Sequence, residues 1–314
     1  MPPAIELHQL DLFVDGRDAL LVHAVVTSLL ARDHEGSVAR LTILCREHPA
    51  HPDLPALTLL ADTLRPSPSS SASHASLTAA VEEINRTLVP SAQRLFGRDA
   101  GNFLRPLWRT LAAAATSMAF DESYPRAHAS WLCQQFEDWP AVRAAVEAEP
   151  DWAARPLLRY RLGLALHHLG DREAAIKQWL PLCWIDPALF TRYAPALPNP
   201  TMREAWEAFE YAGLVGESPV AAPHAATWFP PWLLVRHRRL ADLFEPTDIP
   251  DAGTSADVFR ALLALVPLER QGLSPELIAH RRALQCLSPE LFTYYMETLG
   301  GRRPSVPTRQ VAAE

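Results

Sequence analysis

Glycine is scarce in this chain: 12 of 314 residues, against about 7% in average usage. Tight hairpins lean on Gly, and no alternating run of Val, Ile, Thr and aromatic residues bounded by Asn-Gly or Asp-Gly occurs. A sheet-rich fold is therefore not expected. Also missing are a Gly-rich phosphate cradle, a dinucleotide fingerprint, a Gly-x-Ser-x-Gly elbow and a His-Glu-x-x-His pair. Gly97-Arg98-Asp99-Ala100-Gly101 reads as a turn before a helix, because no Lys-Ser/Thr follows it. Cysteine is limited to Cys45, Cys133, Cys183 and Cys286, too far apart for ligand spacing. Each sits in an apolar helical pattern, so four reduced, buried thiols are expected. His48 and His51 bracket Pro49, and His167 and His168 are adjacent, so neither pair suits helical co-ligation of a metal. Glu82-Glu83 and Glu204/Glu207 read as exposed helix charges. Catalytic residues, metal and cofactor are accordingly not expected.

Long apolar runs are lacking as well. The most apolar stretch, Leu104–Phe120, is interrupted by Arg105 and Arg109 and is short for a membrane span. The opening MPPAIELHQLDLF has no basic start leading into an apolar core, so a cytoplasmic protein is expected. A net charge of −7 gives no reason to expect direct nucleic-acid binding. The runs Arg236-His237-Arg238-Arg239 and Arg281-Arg282 read as local, solvated helix faces.

What the chain does have is proline, 29 residues of it, and helical periodicity throughout. Proline cannot continue a helix and restricts the residue before it, which suits short helices joined by stiff corners. Leu20, Leu21, Ala24, Val25, Ser28 and Leu29 follow the helical spacing, with Asp18 available as an N-cap. Further helices are predicted over 35–47, 54–64, 77–88, 102–120, 201–211, 231–243, 255–265 and 275–299, with alternating helices and turns from 126 to 187. The Ser/Pro-rich segment 66–76 reads as a loop or linker, and Pro219–Pro231 as a surface crossing. The rings of Trp228-Phe229-Pro230-Pro231-Trp232 are expected to wedge between helices, the prolines setting a corner.

One segment repays closer reading. Pro156–Pro187 has Leu162-Gly163 in a first helix, Leu169-Gly170-Asp171 at a turn, Ala174-Ala175 opening a second, and then Trp179 and Pro187. It resembles a tetratricopeptide repeat. Gly163 and Ala175 are small enough for two antiparallel helices to approach, while Leu162, Leu166, Ile176 and Trp179 fill the seam. Leu166 and Leu182 depart from the family pattern. Weaker relatives are Asp18–Pro49, with Arg32-Asp33 at its turn and Ser37 at the small position, and Arg126–Pro150, with Glu137-Asp138. The resemblance implies stacked helical pairs whose first helices line a peptide-binding groove. Carried over, that concave face would be Leu157, Tyr160, Arg161, Leu164, His167 and His168. The rival reading makes this face core.

A second resemblance lies in Gln9-Leu10-Asp11-Leu12-Phe13, which agrees at all five positions with the bacterial sliding-clamp-binding peptide. The family implies a Gln amide bound at a pocket rim, a Leu-Phe pair in an apolar cavity and an extended backbone between. The alternative is that Leu10, Leu12 and Phe13 cap the first helical pair, using Gly16 as a turn.

The expectation is an all-α protein of tetratricopeptide-like antiparallel pairs, stacked as a short solenoid with a helical C-terminal extension. Its predicted parts are an N-terminal peptide (1–16), a helical pair (17–65), the loop or linker (66–76), the repeat-like region (77–215), the extension (216–299) and a disordered tail (300–314). The functional expectation is a non-enzymatic protein-protein interaction scaffold, recruited to the sliding clamp through Gln9–Phe13. A peptide-binding adaptor of another pathway is the alternative, and an enzyme with a site assembled from scattered residues the third reading.

Overall fold

The computed structural model describes the backbone of residues 7–65, 73–212 and 225–300, and the side chains of 16–65, 73–211 and 225–300. Most of the predicted Ser/Pro loop, all but Gly300 of the predicted tail, and residues 213–224 lie outside the described residues. Every regular element among the described residues is helical, and the fold is all-α. Contacts divide the chain into two compact units, residues 1–141 and 142–314.

The first unit opens with α1 (Leu7–Leu30), which packs on α2 (His34–Glu47). The predicted cap at Asp18 is corrected here: α1 runs straight through Gly16 and Asp18. No proline interrupts this stretch, and one interior Gly costs a helix only about 1 kcal/mol. The turn after α1 is built as the spacing suggested. Arg32 takes a left-handed φ of 57°, and the Asp33 carboxylate then accepts from the Gly36 N–H at 2.9 Å. Ser37 is buried, its hydroxyl donating to the Asp33 carbonyl at 2.6 Å. Helix α2 stops before Pro49, since the residue preceding proline disfavours helical geometry. Then follow α3 (Leu54–Asp62) and α4 (His74–Glu83), the latter capped by Ser73. A widened π turn (Ile84–Leu88) leads into α5 (Val89–Phe96), where Pro90 lacks the N–H that a regular ladder would need. Helix α6 (Ala100–Ala115) ends earlier than predicted, and α7 (Ala129–Gln134) packs on it. At Glu137 (φ 60°) and Asp138 the same turn recurs: the Ala141 N–H donates to Asp138 at 3.2 Å in the first turn of α8 (Trp139–Glu147), whose remaining residues belong to the second unit.

The second unit holds α9 (Pro156–His168), α10 (Arg172–Trp179), α11 (Leu182–Ile185), α12 (Pro187–Tyr193) and α13 (Pro200–Ala212). After these come α14 (Phe229–Arg236), a 3-10 segment (Arg238–Leu243), α15 (Thr254–Gln271), α16 (Pro275–Leu287) and α17 (Pro289–Leu299). Its core is strongly aromatic. Phe229 packs against Phe190, Trp206 and Phe209 at centroid distances of 5.2–5.6 Å, and Trp232 against Phe209 at 5.4 Å. The rings do wedge between helices, but the described end of the predicted surface crossing, up to Pro231, is corrected to core. Pro230 and Pro231 sit buried in the first turn of α14, where a missing N–H costs nothing.

The predicted helix over 275–299 is two helices. Ser288 accepts from the Leu291 N–H at 3.3 Å and Pro289 takes the first helical position, so the chain stops and restarts. Ser274-Pro275 opens α16 in the same way. Replacing the buried Ser288 by alanine should cost about 1 kcal/mol. A urea-melt midpoint unchanged in Ser288→Ala would show that the cap is dispensable.

The thiols need one correction. Cys133 and Cys183 are buried, Cys45 and Cys286 exposed. The neighbour Leu44 takes the core position in α2, which turns Cys45 outward by the helical advance of one residue.

Candidate functional site

The densest helix pair of the second unit is the hairpin α9/α10. Its connection is Leu169-Gly170-Asp171. Gly170 adopts a left-handed φ of 94°, and Asp171 accepts from the Ala174 N–H at 3.0 Å. Above the turn the two helices touch. A Cβ added to Gly163 would lie 2.2 Å from the Trp179 indole nitrogen, so only glycine admits the ring there. That nitrogen donates to the Tyr160 carbonyl at 3.2 Å. Leu162, Leu166, Ala175, Ile176 and Trp179 are all buried in the seam. The second helix is shorter than expected: it ends at Trp179, before Pro181, and Pro187 opens α12 instead of ending α10. Proline at 181 removes the donor that would have continued the ladder.

The six residues proposed for the concave face are placed unequally. Residues 161–166 are buried without interruption, more than a full helical turn, so the middle of α9 presents no open side. Arg161 and Leu164 are 3% and 6% exposed, and this burial removes both from any open groove. Leu157, Tyr160 and His167 are half-buried, and His168 is exposed. Tyr160 stacks on Tyr193 of α12 at 4.3 Å. Burial raises the Tyr160 hydroxyl to about 12 and lowers Arg161 to about 10, which leaves Arg161 charged at neutral pH. The His167 ring lies 5.8 Å from Trp179, and its buried Nδ1 has no hydrogen-bond partner among the described residues. Burial, then His168 and Arg172, push its pKa down and keep it neutral.

The side chains of Gln9–Phe13 lie outside the described residues; their backbone is in the first turns of α1. Arg17 pairs with Glu47 at 2.9 Å, at the end of α2.

Sequence reasoning missed a polar network at the C-terminal end of the second unit. Arg281 donates twice to Glu269, at 2.9 and 3.0 Å, and the Tyr295 hydroxyl donates to the same carboxylate. Arg238 lies 5.2 Å from the Tyr295 ring and donates to Thr298 at 3.0 Å. Arg236 rests on the Trp232 ring at 4.8 Å. Half the basic residues read as solvated faces are thus packing elements. Burial alone would raise the Glu269 pKa, but hydrogen bonds from Arg281 and Tyr295 and the charges of Arg281 and Arg238 outweigh it and hold the carboxyl low.

No protein-family model matches this chain, and neither a curated protein nor a solved structure is significantly similar to it. Among the described residues there is no group of three or more His, Cys, Asp and Glu placed to hold a metal, and no helix long and apolar enough to cross a membrane.

Proposed function

We propose that this chain is a non-enzymatic protein-protein interaction scaffold, built from tetratricopeptide-like helical pairs and recruited to the bacterial sliding clamp through Gln9–Phe13. The observation that carries the reading is the agreement of all five residues of Gln9-Leu10-Asp11-Leu12-Phe13 with the clamp-binding pattern, in the first turns of α1. On docking, the first turns of α1 unwind into an extended strand, while Val25, Ser28 and Leu29 stay buried in the first unit. Leu12 and Phe13 then fill the apolar pocket that dominates such interfaces.

The α9/α10 hairpin supports the repeat half of the reading. Gly163 lies against Trp179 where its two helices meet, its turn is left-handed, and its second helix is capped by Asp171. Left-handed turns followed by a capping Asp also close Arg32-Asp33 and Glu137-Asp138. Two well-formed ion pairs are engaged within the fold: Glu269 by Arg281 and Tyr295, and Asp242 by both prongs of Arg270. In this reading the chain acts in the cytoplasm, and its helical pairs stack as a short solenoid.

Calorimetric titration with a purified bacterial sliding clamp tests the proposal. Wild type should bind with a dissociation constant in the micromolar range, about −8 kcal/mol, and Leu12→Ala/Phe13→Ala should bind at least tenfold more weakly. Equal binding by both proteins, or none by either, would end the clamp reading.

A further inference from the structure

Beside the Glu269 network, the second unit has an open depression of about 640 Å³ lined by Arg238, Arg239, Arg270, Leu243, Asp242 and Glu173. We propose that it docks an acidic peptide, one that sets a carboxylate beside an apolar side chain. The inference rests on the scaffold reading, in that the chain works by holding proteins, but not on the clamp peptide.

Three features select this partner. First, the Arg238 guanidinium is held in place before any ligand arrives, by Thr298 and the Tyr295 ring, so it meets a carboxylate at little further entropic cost. Arg270 is already paired with both Asp242 oxygens, at 2.8 and 3.0 Å, and offsets that carboxylate's charge. Second, Arg239 is exposed and makes no ion pair or hydrogen bond among the described residues. Third, Leu243 gives the depression an apolar patch that a carboxylate alone would not use. Nucleic acid fits less well. A phosphate backbone brings a continuous row of charge onto a rim that includes Glu173 and Asp242. Spaced peptide carboxylates can be set over Arg238 and Arg239 alone.

Fluorescence anisotropy with the full-length protein tests this. The probe is a fluorescein-labelled peptide of alternating glutamate and leucine, with a glutamine-leucine peptide and a single-stranded oligonucleotide of equal length as controls. The glutamate peptide should bind, about tenfold more weakly to Arg239→Glu and about threefold more tightly to Glu173→Gln, while the glutamine peptide does not bind. Both substitutions are on exposed side chains, and a circular dichroism melt on each variant confirms that the fold is kept. Equal binding of the two peptides, indifference to Arg239→Glu, or tighter binding of the oligonucleotide would each overturn the proposal. The clamp titration uses residues 9–13 only, so its failure and the failure of this experiment are told apart.

Discussion

Replacing Gly163 by alanine should destabilise the protein by about 1–3 kcal/mol, a large cost for one methyl group. The added Cβ would sit 2.2 Å from the Trp179 indole nitrogen and 2.6 Å and 2.7 Å from two of its ring carbons. The ring has little room to retreat. Trp179 is fully buried, and its N–H is tied to the Tyr160 carbonyl at 3.2 Å. Relief requires the helices α9 and α10 to separate, which opens the seam of Leu162, Leu166 and Ile176. Urea denaturation reads the effect as a lower midpoint at unchanged slope. A Trp179→Phe background should return part of the loss, because the smaller ring leaves space for the methyl. The two changes together should thus cost less than their sum. Strict additivity would mean that Gly163 and Trp179 are not in contact.

The second large effect is expected at Glu269. Its carboxylate is mostly buried, 12% exposed, and accepts from Arg281 and Tyr295. Glu269→Ala leaves Arg281 and Tyr295 without their acceptor and removes the charge that Arg238 faces, at a cost of about 2–3 kcal/mol. The pH dependence follows from the lowered pKa. The stabilisation is complete above the unfolded-state carboxyl pKa, near 4.3, and is lost as pH falls through the depressed folded value. Wild type and Glu269→Ala should therefore differ most at neutral pH and converge in acid. Urea midpoints collected from neutral pH down into the acid range check this. A gap that persisted at the lowest pH would assign the loss to packing rather than to the ionised network.

Local signals were legible in the sequence where local chemistry decides the structure. Arg32-Asp33, Glu137-Asp138 and Gly170-Asp171 were each read as turns, and each is a left-handed residue followed by a capping Asp. Gly163 and Ala175, which the tetratricopeptide resemblance marks as the close approach of two helices, are both buried, and Gly163 lies against Trp179. The break at Ser288 had a readable signal that went unused: Leu273-Ser-Pro-Glu-Leu277 returns as Leu287-Ser-Pro-Glu-Leu291, and each copy caps and starts a helix. What could not be read depends on distant partners. The burial of Arg161 and Leu164 follows from elements packed around α9, among them α11, not from the pattern of α9 itself. Glu269, Arg281 and Tyr295 come from three different helices, so no spacing rule links them.

The most direct test of the scaffold account is hydrogen exchange on the full-length protein, alone and with a bacterial sliding clamp. The account predicts new protection confined to amides around Gln9–Phe13, with the slow exchange of α9 and α10 unchanged. Identical exchange at residues 9–13 with and without the clamp would contradict it, and so would protection that appeared only elsewhere in the chain.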